Sequence, residues 1–341
     1  MHRRIIFCAD GTWDKVKNDT NVRRLFNAIA KGPDQVAAYD DGVGTWGTFW
    51  RRLLGGAFGD GLFQKIKDGY KEIARHYKPH DDIFIFGFSR GAYTARSLAG
   101  MIAICGLPTT DFDDHLVNTA FRAYRERDEK ERAAILASLD KYKLFDAKIK
   151  MVGVWDTVGA LGIPALWGGV DPQAYGFLDT TLHPDVLNAY QALAIDERRR
   201  EFPPTLWRPP SPPVPGRVLE QVWFCGVHCD VGGGYDPPGL SNITLSWMMG
   251  KAKNLGLEID PQVWSQYASM NTTSALAQLH NSWNIFWGFP NARTIANNSV
   301  LANSVAIRCK SDNAYRPSNI EVNKGVLASS YGLARVVMMP A

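Results

Sequence analysis

The sequence predicts an α/β fold in which a mostly parallel central sheet carries helices on both faces. Short apolar runs bounded by turn residues alternate with longer helix-periodic segments across the first 255 residues. Four of these runs end in a polar residue beside a glycine-containing turn, at Asp10, Ser89, Asp156 and His228. In a sheet of this kind functional groups gather at the carboxyl ends of the strands. The same four residues therefore mark both the fold and its working edge.

Taken in order, Arg3–Ala9 is an apolar strand closed by Asp10-Gly11-Thr12-Trp13, and Val36–Tyr39 is a second strand. A glycine-rich, aromatic stretch over 42–63 follows, with Trp46, Phe49, Trp50 and Phe58. It reads as a lid or acyl pocket and equally as core packing with loop glycines. Leu62–Tyr77 is helix-periodic, Ile83–Phe86 is a short strand, and Arg90–Ile104 is the helix after it. Asp113–Tyr142 is charged and periodic, as a pair of helices covering one face would be. Lys148–Trp155 is a strand, and Val186–Arg199 is expected to be a helix. Pro203–Pro215 contains seven prolines and is expected to run extended over the surface. Val218–Cys225 is a strand and Ser241–Leu255 a helix. The expected organisation is one domain, with its core about 1–110, 146–160 and 216–256. A helical cover (111–145), a loop-rich insertion (160–215) and a C-terminal extension (257–341) complete it.

Composition narrows the class. A chain of 341 residues with 45% hydrophobic content can bury a sizeable core without metal or disulfide support. The net charge of +4 and the absence of a basic run longer than Arg198–Arg200 argue against nucleic-acid binding. Five cysteines, at 8, 105, 225, 229 and 309, read as reduced thiols. Cys225 and Cys229 flank His228, which invites a zinc reading, but no second Cys/His pair has finger-like spacing. No metal and no cofactor are therefore expected. The apolar stretch Ile5–Ala9 stops at Asp10, too short for a signal peptide, and Leu98–Leu107 is too short to span a membrane. The expectation is cytoplasmic synthesis, with any export left to a route that carries folded proteins.

The chemistry rests on Gly87-Phe88-Ser89-Arg90-Gly91. A serine hydroxyl is a weak nucleophile and needs a base, which in turn needs a carboxylate to fix its tautomer. A Gly-x-Ser-x-Gly motif between a strand and a helix turns the backbone sharply and exposes the serine. The competing reading is a helix-capping serine. Asp156 and His228 supply acid and base in the α/β-hydrolase order Ser–acid–His. Asp230 is the rival acid, but two residues from the histidine it more plausibly shapes the loop. The backbone N–H of Arg90, with Gly11 or Thr12 from the loop after the first strand, would serve a developing oxyanion. Asp10 would hold that loop in shape, and a purely structural turn explains the loop nearly as well. A phosphatase reading of Asp10-Gly11-Thr12 fails because Cys8 stands where its nucleophilic aspartate belongs.

Five segments together resemble a known family: Cys8–Trp13, Phe86–Arg96, Val154–Gly159, Ala192–Phe202 with Asp196-Glu197-Arg198-Arg199, and Gly226–Tyr235. It is the α/β-hydrolase family, described in bacteria, that contains the first class of type VI secretion lipase effectors and many stand-alone proteins. The resemblance implies a Ser89–Asp156–His228 triad and ester hydrolysis, with phospholipid as the substrate of the characterised effectors. The expected partner is thus an apolar acyl ester or phospholipid, with transient contact at a membrane surface. Two further readings stay open: an esterase, thioesterase or polyester hydrolase acting away from membranes, and a non-catalytic interaction module.

Overall fold

The computed structural model describes residues 2–11, 19–41, 58–158, 180–268, 272–297 and 299–320. Its frame is a seven-stranded sheet in which every pairing is parallel. In chain order the strands are β1 (Arg4–Ala9), β2 (Gln35–Asp40), β3 (Asp82–Phe88), β4 (Ile149–Trp155), β5 (Asn188–Ala194), β6 (Val218–Phe224) and β7 (Val300–Leu301). Their spatial order is β2-β1-β3-β4-β5-β6-β7. The direction of winding reverses between β1 and β3, and crevices form at such a switch point.

The sheet divides the core in two, and the two-residue period of a strand assigns the side chains. Ile6, Cys8, Phe84, Phe86, Phe88, Met151 and Trp155 point to one face. Ile5, Phe7, Ala9, Ile83, Ile85, Val152 and Val154 point to the other. Helices α1 (Asn21–Ala28) and α7 (Gly239–Asn254) cover the first face. Helices α2 (Phe58–His76), α3 (Arg90–Cys105) and α4 (Asp114–Arg125) cover the second, with α5 (Glu129–Ala137) beyond. Local capping marks the starts: Asp113 accepts from Leu116 N, and Asp128 accepts from Lys130 N and Glu131 N. Helix α1 was not expected, although Thr20 caps it and Val22, Leu25 and Ala28 repeat along one buried face.

One element overturns its expectation. Val186–Arg199 is not a helix, because residues 188–194 form β5, buried along its whole length between β4 and β6. A strand covered on both faces reads as a continuous apolar run, and its alanines and leucine imitate a helix former. The region expected as a loop-rich insertion therefore supplies a central strand. The C-terminal region likewise returns to the sheet, since β7 pairs with β6 through Val222–Val300 and Trp223–Leu301. Of the stretch 42–63, residues 42–57 lie outside the described residues, and Phe58 onward is already helix α2.

Candidate active site

Ser89 sits in the turn from β3 into α3 with φ +57° and ψ −118°. That conformation is sterically costly for a residue with a Cβ and is the strained geometry of a nucleophile elbow. Glycines make it feasible: a Cβ on Gly87 would meet the Gly91 carbonyl, and one on Gly91 would overlap the carbonyl oxygens of Ala9 and Asp10. The serine makes no capping bond to its helix. Its Oγ lies instead 2.9 Å from His228 Nε2, which excludes the capping-serine reading.

His228 opens the short helix α6 (His228–Gly232), just beyond β6. Its Nδ1 lies 2.6 Å from Asp156 Oδ2. With a carboxylate on Nδ1, the Nδ1–H tautomer follows, and Nε2 presents a lone pair to the Ser89 hydroxyl. The imidazole is wholly buried, with the Phe88 ring 4.6 Å away and tilted and the Phe202 ring 5.1 Å away and edge-on. Burial pulls its pKa below the ordinary histidine value, against the opposing pull of Asp156.

Asp156 follows β4 with φ +40°, a region that aspartate tolerates better than most residues. Burial alone would raise its pKa, but Arg293 and His228 outweigh burial and hold the carboxyl well below the usual range. Arg293 is the partner that no sequence signal announced. Its Nη1 donates to Asp156 Oδ1 at 2.6 Å and its Nη2 to Oδ2 at 2.9 Å, while the same nitrogens reach the Ala194 and Phe202 carbonyls. Ala194 N also donates to Asp156 Oδ1. The carboxylate is thus fully satisfied inside the protein, as a buried charge requires.

The Asp196–Arg199 motif builds the wall behind the histidine. Glu197, fully buried, accepts from the backbone of Arg198, Arg199 and His228, from the Arg199 guanidinium, and from Ser282 Oγ. Burial would raise its pKa, yet the Arg199 bonds bring it down to about 2. Asp196 accepts from Gly226 N and the Tyr315 hydroxyl, tying the end of β5 to the turn that carries His228. Arg199 stacks over Phe202 at 3.6 Å from the ring centre.

The remaining expected residues are placed as follows. Asp230 accepts from Val227 N, His280 N and His280 Nδ1, so it shapes the loop and does not touch His228 Nδ1. Asp10 accepts from Gly11 N at 2.7 Å, and from Thr20 Oγ1 and the Tyr39 hydroxyl, and so ties these three residues together. Arg90 begins α3, and Thr12 lies outside the described residues. Cys225 and Cys229 are buried free thiols whose pKa values burial pushes up.

A serine in a strand-to-helix turn, an aspartate and a histidine, each beyond the carboxyl end of a strand in one parallel sheet, are the arrangement of the α/β-hydrolase class. Residues 3–251 match the family model "T6SS, phospholipase effector Tle1-like, catalytic domain", and the chain belongs to that family. A curated relative is an uncharacterized protein of Saccharomyces cerevisiae, 28% identical over 256 residues. That alignment takes in 67% of this chain and 36% of the yeast protein, so this chain spans little more than a third of its relative's length. Among solved structures, an uncharacterized protein from Pseudomonas aeruginosa aligns with a TM-score of 0.46 at 19% identity. That alignment covers 82% of this chain and 51% of the other.

Proposed function

We propose that this chain hydrolyses a carboxylic ester of a phospholipid by nucleophilic catalysis at Ser89. The observation that carries the reading is the continuous relay Ser89 Oγ–His228 Nε2–His228 Nδ1–Asp156 Oδ2, at 2.9 and 2.6 Å. Phospholipid as substrate rests on membership of a family described by that activity.

Ser89 Oγ attacks the acyl carbonyl carbon while His228 Nε2 takes the hydroxyl proton. Asp156, held ionised by Arg293, stabilises the imidazolium that forms. The backbone N–H of Arg90, the residue after the nucleophile, serves as a donor to the developing oxyanion in this mechanism. Collapse expels the glycerol oxygen, which recovers its proton from His228 and leaves an acyl-Ser89 ester. Water, deprotonated by His228, then releases the fatty acid and restores the serine.

The test joins a fluorophosphonate probe to lipid profiling. Wild type is expected to be labelled at Ser89 and to release fatty acid from phospholipid vesicles, and Ser89→Ala to do neither. Labelling without fatty-acid release would move the substrate to a non-membrane ester. No labelling and no release from any ester would leave a hydrolase fold without the chemistry.

A further inference from the structure

Residues 283–290 read Trp-Asn-Ile-Phe-Trp-Gly-Phe-Pro and lie between Ser282, bonded to Glu197, and Arg293, bonded to Asp156. Ile285 is 80% exposed and Phe289 93%, against at most 41% for any other exposed large apolar side chain among the described residues. These side chains stand out on a closed turn rather than a frayed one. Trp287 N donates to Asn284 O at 3.0 Å, Gly288 N to Ile285 O at 3.1 Å, and Trp283 Nε1 to Gly288 O at 3.1 Å. Gly288, at φ +70°, supplies the left-handed residue the turn needs.

The base of the turn is rooted in the site. Trp287 packs edge-on against Phe202 at 5.8 Å with Arg199 over its ring, and Phe202 abuts His228. Asn291 N donates to the Arg198 carbonyl at 2.9 Å, and Arg198 and Arg200 are both exposed. An apolar tip, tryptophans at its base and arginines beside it follow the depth order of a lipid surface: acyl chains, interface and phosphates. The two large apolar side chains that the described residues expose here are too few to bury the ~800 Å² that each partner of a stable protein complex contributes. They are large enough to insert between lipids.

We propose that the 283–290 turn is an interfacial anchor that inserts Ile285 and Phe289 into an anionic phospholipid surface, with Arg198 and Arg200 against the headgroup phosphates. The anchor rests on the phospholipid reading above, and it holds the Ser89 site against the surface from which acyl chains are drawn.

The test uses the full chain and sucrose-loaded vesicles of phosphatidylcholine and phosphatidylglycerol. In a Ser89→Ala background, which leaves the lipid intact, the double change Ile285→Ser, Phe289→Ser is expected to weaken vesicle partition at least tenfold. Ile285→Leu, Phe289→Leu is expected to restore it. With Ser89 present, the serine pair is expected to lose at least tenfold on vesicles while hydrolysing monomeric p-nitrophenyl butyrate within twofold of wild type. Equal partition of the parent and the serine pair overturns the proposal. So does a parent that sediments as a dimer when the serine pair does not, which would assign the tip to a second copy. If no variant cleaves either the vesicle lipid or the soluble ester, the hydrolase reading falls, while partition still decides the anchor.

Discussion

Replacing Arg293 by methionine removes one guanidinium and leaves Asp156 buried with only the Ala194 amide and the His228 imidazole as partners. Arg293 is 5% exposed and Asp156 fully buried, so solvent cannot take over the lost bonds. Breaking a buried ion pair by deleting one partner costs about 3–5 kcal/mol, most of it the desolvation of the charge left behind. At about 2 °C per kcal/mol for a long chain, the melting temperature should fall by about 6–10 °C. The pH dependence tests the cause. Asp156 has a folded pKa below its unfolded value, so its contribution is present above about pH 4 and is lost as pH falls through the folded pKa. The gap in urea stability between wild type and Arg293→Met should therefore be full at pH 7 and narrow below about pH 4. Loss of a positive charge near His228 should also move the acid limb of kcat/KM upward, because the base must be neutral to work. Arg293→Lys keeps the charge without the two-pronged geometry and should fall between the two. Equal urea midpoints at pH 7, or a gap that keeps its full size as pH falls well below about 4, would refute the reasoning.

Asp156→Asn should retain the fold and lower kcat on a soluble p-nitrophenyl ester on the order of 10⁴-fold, since the amide cannot hold the required tautomer; a loss under tenfold would remove Asp156 from the mechanism. Burial pulls the His228 pKa down, so the acid limb of wild-type kcat/KM should lie below pH 6.5, and a limb above that value would contradict the burial. Gly91→Ala should yield no soluble protein, because its Cβ would overlap the β1 carbonyls. Gly32→Ala, with nothing within 4 Å of the added Cβ, should leave stability unchanged or raise it by about 0.4–1 kcal/mol in chemical denaturation.

Ser89, Asp156 and His228 were legible because each follows a strand whose apolar run is a local pattern, and a parallel sheet brings such ends to one edge. Strand β5 was misread for the same physical reason that makes it central. Covered on both faces, it needs no polar alternation, and the Nε2 of its buried Gln191 donates to the Thr205 carbonyl. Helix α1 does carry a local signal, since the Thr20 cap and the Val22, Leu25 and Ala28 repeat lie within nine residues. Gly11 shows a subtler limit. Sequence places an amide near the nucleophile, yet only geometry shows that it donates to the neighbouring Asp10. Arg293 left no signal at all, because Asn291-Ala292-Arg293-Thr294 has no periodicity and its partner lies 137 residues away.

The distance of Arg293 from the motifs bears on what family membership transfers. The family match ends at residue 251, whereas Ser282, which bonds Glu197, and Arg293 lie beyond it. In the proposed mechanism the motif residues supply a nucleophile, a base and an acid, but they do not specify how the acid stays ionised when it is fully buried. A buried carboxylate bonded to one imidazole and one amide retains unsatisfied lone pairs and an uncompensated charge. Some group must complete that balance, and here it comes from a segment that carries no motif of its own. The same segment carries the apolar 283–290 turn, whose Trp287 packs on Phe202, so the group that keeps Asp156 charged is covalently joined to the surface proposed to meet the lipid. Replacing this segment should therefore change the charge state of the acid and the contact with lipid together, although every motif residue remained in place.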